Sequence, residues 1–143
     1  MKAELELRLL QCAVAAACLV PISVGLAGVL ESAAMLAGVD VPLAIDLDSH
    51  YRYLSGLLLG IGIAFALCVP AIETKGAIFR TLGLIVVVGG LARLLSAAEH
   101  GLPGPGHRFG LAMELAAVPL LVAWQARVAR RIRSCRNAAV PLR

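Results

Sequence analysis

The sequence predicts an all-α integral membrane four-helix bundle with both termini inside and antiparallel hairpins, and three observations predict it. Charged residues make up only 15% of the 143-residue chain and hydrophobic residues 60%, against about 25% charged in an average soluble domain. Four apolar runs are each long enough to cross a hydrocarbon core about 30 Å thick, which takes roughly 20 helical residues at 1.5 Å each. The basic residues between those runs fall almost entirely on one side. A soluble fold has nowhere to hide so much apolar surface.

The first run, about residues 5–30, is similar at first sight to a secretion signal, and "AVAAAC" ending at Cys18 loosely matches a lipoprotein cleavage box. Glu4 and Glu6 cancel Lys2 and Arg8 where a signal needs net positive charge, and the apolar run continues past Cys18, so it reads as the first span. The outer connection, 31–50, is the longest. Its "SAAMLAG" predicts a short helical turn closed by Gly38, before Pro42 and the acidic "DLDSH" break it, and the whole segment is expected to lid the outer helix ends. The second span, 51–69, carries "SGLLLGIG", whose Gly56 and Gly60 predict a small-xxx-small packing face. The third span, 77–98, and the fourth, 109–126, are joined by the Pro- and Gly-rich "EHGLPGPGHR", which predicts an antiparallel hairpin. Residues 1–130 thus read as one transmembrane domain and 131–143 as a basic cytoplasmic tail.

Orientation follows from the tendency of Lys and Arg to remain in cytoplasmic loops. With both termini inside, that side holds Lys2, Arg8, Lys75, Arg80, Arg127, Arg130, Arg131, Arg133, Arg136 and Arg143, while the outer side holds Arg52 and Arg108. Ten against two, with Arg93 left within the membrane, account for all 13 basic residues. Five acids, Glu31, Asp40, Asp46, Asp48 and Glu99, lie in the outer connections. The expected location is a bacterial inner membrane.

The tail "RVARRIRSCR" reads as a stop signal that also attracts anionic lipid headgroups, at about 1 kcal/mol per basic residue near the surface. It lacks the interleaved aromatics of a single-strand nucleic-acid binder, so the net charge of +4 does not imply nucleic acid. Cys12, Cys18, Cys68 and Cys135 include no CxxC, and no pair among His50, His100 and His107 has i, i+4 spacing. No metal or other cofactor is expected.

Two charges stand inside spans. Arg93 lies about five residues before the outer end of the third helix, and Glu114 about five after the start of the fourth, so the hairpin sets them at similar depth. An unpaired charge at mid-helix costs about 2.5–3.5 kcal/mol on insertion scales, which favours pairing within the bundle. Gly89, Arg93, Ser96 and His100 recur at steps of four, three and four, predicting one inward face with Gly89 at a packing contact. Gly110, Glu114, Ala117 and Leu121 make the corresponding stripe on the next helix. Arg52 and Tyr53 begin the second span at the same outer level. The expected outer polar basin therefore comprises Arg52, Tyr53, Arg93, Ser96, Glu99, His100 and Glu114.

"HYRYLSGLLLGIGIAF", "GGLARLLSAAEHGLPGP" and "LAMELAAVPLLVAWQ" resemble the pattern of the small bacterial membrane proteins grouped as domain-of-unknown-function family 4345. The likeness spans about residues 8–130. It implies four helices and matching positions at Arg52, Gly56, Arg93, Ser96 and Glu114, and it implies no known activity. The basic tail after Arg127 lies outside it.

Three functions are compatible with these features. The first is a structural or accessory membrane subunit, associated with a larger complex, whose intramembrane charges form an ion-pair network. The second is a binding module for a lipid-like or isoprenoid ligand, its polar head on the arginines and its tail between helices. The third is an acid-base isomerase or hydrolase of an apolar substrate, with Glu114 as base and Arg93 or Tyr53 stabilising developing negative charge. The absence of a nucleophile and base at recognisable spacing weighs against an enzyme.

Overall fold

A computed structural model describes residues 2–36, 38–39 and 42–138, the side chains of Lys2 and Ala138 excepted. Asp40 of the outer connection and Arg143 of the tail lie outside the described residues. Most of the described residues are helical, and none is in a strand. They form α1 (Lys2–Glu31), α2 (Ile45–Cys68), α3 (Gly76–His100), α4 (Pro105–Ala112) and α5 (Val118–Ala138), with α4 and α5 continuous through a π turn at Met113–Ala117. Four helical stretches, Ala3–Met35, Ile45–Ala71, Gly76–His100 and Pro105–Asn137, are long and apolar enough to cross a membrane. Two compact units divide the chain: residues 12–69, and residues 1–11 with 70–143.

Within residues 12–69, α1 and α2 pack antiparallel through glycine. A Cβ on Gly25 would lie 2.6 Å from the Leu59 nitrogen, and one on Gly62 would lie 2.9 Å from Ile22 and 3.1 Å from Pro21. Gly28 stands against Ser55 and Tyr51. Such close backbone approach is how helices gain dispersion contact where their surroundings are as apolar as their side chains. Gly60 takes no part in this packing, and Gly56 reaches only ordinary contact, 3.9 Å from Val29. The face on α2 is instead Ser55, Leu59 and Gly62, extended by the buried Phe65.

Beyond Glu31 the chain makes the expected short turn, a 3-10 helix at Ser32–Met35, and Gly38 adopts φ +80°. The acidic "DLDSH" behaves otherwise than expected: it opens α2 at Ile45 instead of breaking the chain before a span at 51. Asp46 and Asp48 fall in the first turn, where carboxylates complement the positive end of the helix dipole.

The second unit is a helical hairpin. Gly101 closes α3 at φ +93°, its N–H reaching the Ala97 carbonyl at 3.0 Å, and Pro105 starts α4 where a missing N–H costs no bond. Gly76, Gly83 and Gly90 recur every seven residues on the α3 face that meets α4 and α5. A Cβ on Gly83 would come 2.7 Å from Val122, and one on Gly90 would come 2.8 Å from Leu115 and 2.9 Å from the Glu114 Cβ. Gly89, the residue singled out by the polar stripe, would meet nothing within 4 Å. One residue is 100° around a helix, so the two neighbouring glycines face different surroundings. Leu10, Ile72, Phe79, Gln125 and Val128 are the buried side chains of this unit. Its outward positions are equally apolar: Leu84 is 64% and Leu120 70% exposed.

The glycine contacts yield a paired expectation. Gly90→Leu forces overpacking that costs about 1–3 kcal/mol, whereas Gly89→Ala is neutral or stabilising by up to about 1 kcal/mol through helix propensity. Thermal unfolding of the two variants in detergent measures both; equal losses would place the helix contact elsewhere.

Candidate functional site

Arg93 and Glu114 form a two-pronged ion pair. The Arg93 Nε donates to Glu114 Oε2 at 3.0 Å and Nη2 donates to Oε1 at 3.1 Å. The parallel bonds match a planar guanidinium to a planar carboxylate, the strongest geometry such a pair has. The side chains are 35% and 18% exposed.

Two local features place the carboxylate there. Helical side chains lean toward their own N-terminus, so Glu114, whose Cβ lies beside Gly90, leans back along α4 toward Gly110. Its Oε1 occupies the room that glycine leaves, 3.9 Å from where a Cβ would stand. Glu114 also sits within the π turn, where the Val118 N–H bonds the Met113 carbonyl five residues back. Pro119 explains the turn: it has no N–H for the Leu115 carbonyl, and its ring crowds that carbonyl in a regular α-helix. The widened turn absorbs both defects.

The other expected members of the basin form local groups. Ser96, Glu99 and His100 are exposed near the end of α3; the His100 Nδ1 lies 3.3 Å from the Ser96 carbonyl and 4.0 Å from the Glu99 carboxylate. This is a correction to the inward polar stripe, since His100 is 76% exposed and Ser96 open. Tyr53 is exposed as well. Arg52 directs its donors inside its own unit: Nε to Asp48 Oδ2 at 3.0 Å, and Nη1 to the Val29 and Leu30 carbonyls at 2.5 and 3.3 Å.

Those carbonyls belong to the last turn of α1, where helix acceptors have no internal partner. Arg52 therefore caps α1 from α2. Ser32 completes the arrangement: it is buried, adopts φ +65°, and its Oγ donates to Asp48 Oδ1. A left-handed conformation costs a non-glycine residue about 1–2 kcal/mol, which the buried hydroxyl bond to a charged acceptor offsets.

Sequence reasoning missed three groups. The sequence does not link Ser32 and Asp48 to Arg52, although Asp48 stands four residues before it. Glu6, counted only as a charge, receives hydrogen bonds from both Arg127 and Arg131, the latter at 2.6 Å. The signal was a carboxylate within an apolar run and two arginines at i, i+4. Gln125, 0% exposed, donates from Nε2 to the Ile72 carbonyl at 2.8 Å and so ties α5 to the α2–α3 turn. No pattern marked it. Among the described residues, no group of three or more His, Cys, Asp or Glu could hold a metal ion.

Two mutational outcomes follow from this geometry. Arg93→Ala and Glu114→Ala each destabilise the protein, and the double variant loses less than their sum by about 0.5–3 kcal/mol; additive losses in thermal unfolding would contradict pairing. Ser32→Gly, which relieves the positive φ, is less destabilising than Ser32→Ala by about 1 kcal/mol, because both lose the hydroxyl but only alanine keeps the strain. Comparing their unfolding midpoints tests the assignment.

No curated protein and no solved structure matches the chain. The family model described as "Domain of unknown function (DUF4345)" matches residues 9–125, a stretch that contains the Arg93–Glu114 pair, the Arg52 cap and Gln125, and the chain belongs to that family.

Proposed function

We propose that the chain is an integral protein of a bacterial inner membrane, with both termini cytoplasmic, and that it serves as a structural, non-catalytic subunit of a membrane assembly. The observation that carries this reading is the closed Arg93–Glu114 pair. Both carboxylate oxygens are engaged by one guanidinium, which stabilises the charged carboxylate and makes it a weaker base, and the charges neutralise each other between apolar helices. Pairing that holds two helices together needs no chemistry beyond itself. Leucines on the outward faces of α3 and α5 support a lipid or protein environment, because water would not tolerate so continuous an apolar surface. The Glu6 contacts with Arg127 and Arg131 gather the start of α1 and the basic part of α5 at one end, which supports termini on the same side.

A second reading, a binding module for a lipid-like molecule, draws support from the π turn around Glu114. Such turns occur often at functional sites. An apolar molecule retained through purification, and lost in Glu114→Gln, would favour it over the structural role.

Orientation is tested with Cys135, which is exposed on α5. In a protein whose other cysteines are replaced by alanine, a membrane-impermeant maleimide labels Cys135 in inverted vesicles and not in intact cells, while Gly104→Cys in the α3–α4 turn labels in the opposite sense. Labelling of Cys135 from outside would reverse the topology. Release of the protein by alkaline carbonate would remove the membrane assignment itself.

A further inference from the structure

At the other end of the α3–α5 hairpin from Arg93 lies a cavity of about 320 Å³ whose lining includes Glu73, Gly76, Arg80, Gln125, Arg130 and Arg133. Its polar groups are incompletely satisfied in a specific way. Gln125 is fully buried, and its orientation is fixed because Nε2 must donate to the Ile72 carbonyl; its Oε1 is left with no donor. The buried Oε2 of Glu73 also lacks a donor. Both orphans are acceptors, and a buried acceptor without a donor is unfavourable.

The cations of the cavity do not answer this need. Among the described residues, Arg80, Arg130 and Arg133 make no salt bridge, in contrast to Arg127 and Arg131, which share Glu6. Glycine at position 76 keeps the floor open: a Cβ there would lie 3.1 Å from Arg80 Nη1 and 3.2 Å from Gln125 Nε2. The cavity thus presents two donor-seeking oxygens, one of them on a carboxylate, beside three uncompensated guanidiniums.

We propose that this cavity binds a phosphate ester bearing a primary ammonium, the phosphoethanolamine group, with the phosphate on the arginines and the ammonium on Glu73 and Gln125. Guanidinium groups match phosphate oxygens in geometry and charge. An ammonium with three N–H donors serves both orphaned oxygens, which a choline headgroup has no N–H to do and a glycerol headgroup does without neutralising Glu73. A phospholipid or a free ester supplies the same group. The lipid source rests on the membrane reading above; the chemistry of the cavity does not. A headgroup occupant suits a cavity at the arginine-rich ends of apolar helices.

The test is calorimetric titration of the full chain in maltoside detergent with short-chain phosphatidylethanolamine, phosphatidylcholine, phosphatidylglycerol, free phosphoethanolamine and inorganic phosphate. Phosphatidylethanolamine binds at least about tenfold more tightly than the choline and glycerol lipids. The double variant Arg130→Gln, Arg133→Gln, both at exposed positions, weakens binding by about tenfold while its unliganded unfolding midpoint stays unchanged. Glu73→Gln reduces the preference for ethanolamine over choline. Free phosphoethanolamine binding as tightly as the lipid supports the site and assigns it to a soluble ester. Equal binding of the three lipids, inorganic phosphate binding as tightly as phosphatidylethanolamine, or arginine variants that bind like the parent would overturn the proposal. Carbonate-resistant protein that binds none of the probes sinks the cavity alone; carbonate-released protein that binds free phosphoethanolamine sinks only the membrane reading.

Discussion

The seven-residue repeat of glycine on α3 is the constraint from which the rest of the hairpin follows. Gly76, Gly83 and Gly90 share one face because 3.5 residues per turn is close to the helical period. At each of them a Cβ would collide with, or press closely on, what faces it: the Gln125 amide, Val122, and Leu115 with Glu114. The opposing residues Leu115, Val118, Val122 and Gln125 advance by three, four and three, the matching rhythm on the partner helix. Removing three side chains from one face lets the backbones close on each other, and proximity then brings polar groups within reach. Arg93 is three residues beyond the last glycine and Gln125 stands opposite the first. The ion pair and the cavity are the two ends of one seam.

The unit of residues 12–69 reaches the same end by a different distribution. There the close approach is shared, with Gly25 and Gly28 on α1 and Gly62 on α2. Its polar closure is also at a helix end, but it works through the backbone. Arg52 takes the terminal carbonyls of α1, and Asp48 holds both Arg52 and the strained Ser32. A side chain from the following helix thus does what a C-terminal glycine usually does alone. The chain can leave α1 at a serine because the acceptors that serine would otherwise expose are capped from outside.

The sequence announces its helices because length and hydropathy are local properties, readable without knowing any neighbour. It also brings out Arg93 and Glu114, since a short turn leaves two opposite charges at one depth with few alternatives. It conceals which face of a helix meets a partner. Gly56 and Gly60 have the spacing of a packing motif, but spacing carries no phase, and α2 turns Ser55, Leu59 and Gly62 to α1 instead. Gly89 and Gly90 are adjacent letters that differ by 100° in space; counting in sevens from Gly76 would have chosen between them. Arg52, Ser32 and Asp48 were beyond reach for another cause. Their bond pattern depends on a left-handed backbone at Ser32, which nothing in the residue type foretells. Gln125 was hidden because one amide in "VAWQARV" reads as an ordinary polar position until its partner, a backbone carbonyl in a distant turn, is known.

Glycine gives α3 and its partner proximity, yet it does not give them register. A ladder that repeats every seven residues looks the same after sliding by seven, about 10.5 Å along the axis, and leucine or valine would fill the new gaps nearly as well. The polar ends remove that degeneracy. After such a slip Glu114 would face the level of Val86 or of His100 instead of Arg93, leaving two charges unpaired among apolar side chains, and Gln125 would lose the Ile72 carbonyl as well. No apolar rearrangement recovers that loss. Two sparse polar contacts, set at opposite ends of an otherwise uniform seam, therefore select one alignment out of several that packing alone would accept, much as a single buried polar residue fixes the pairing of coiled-coil helices.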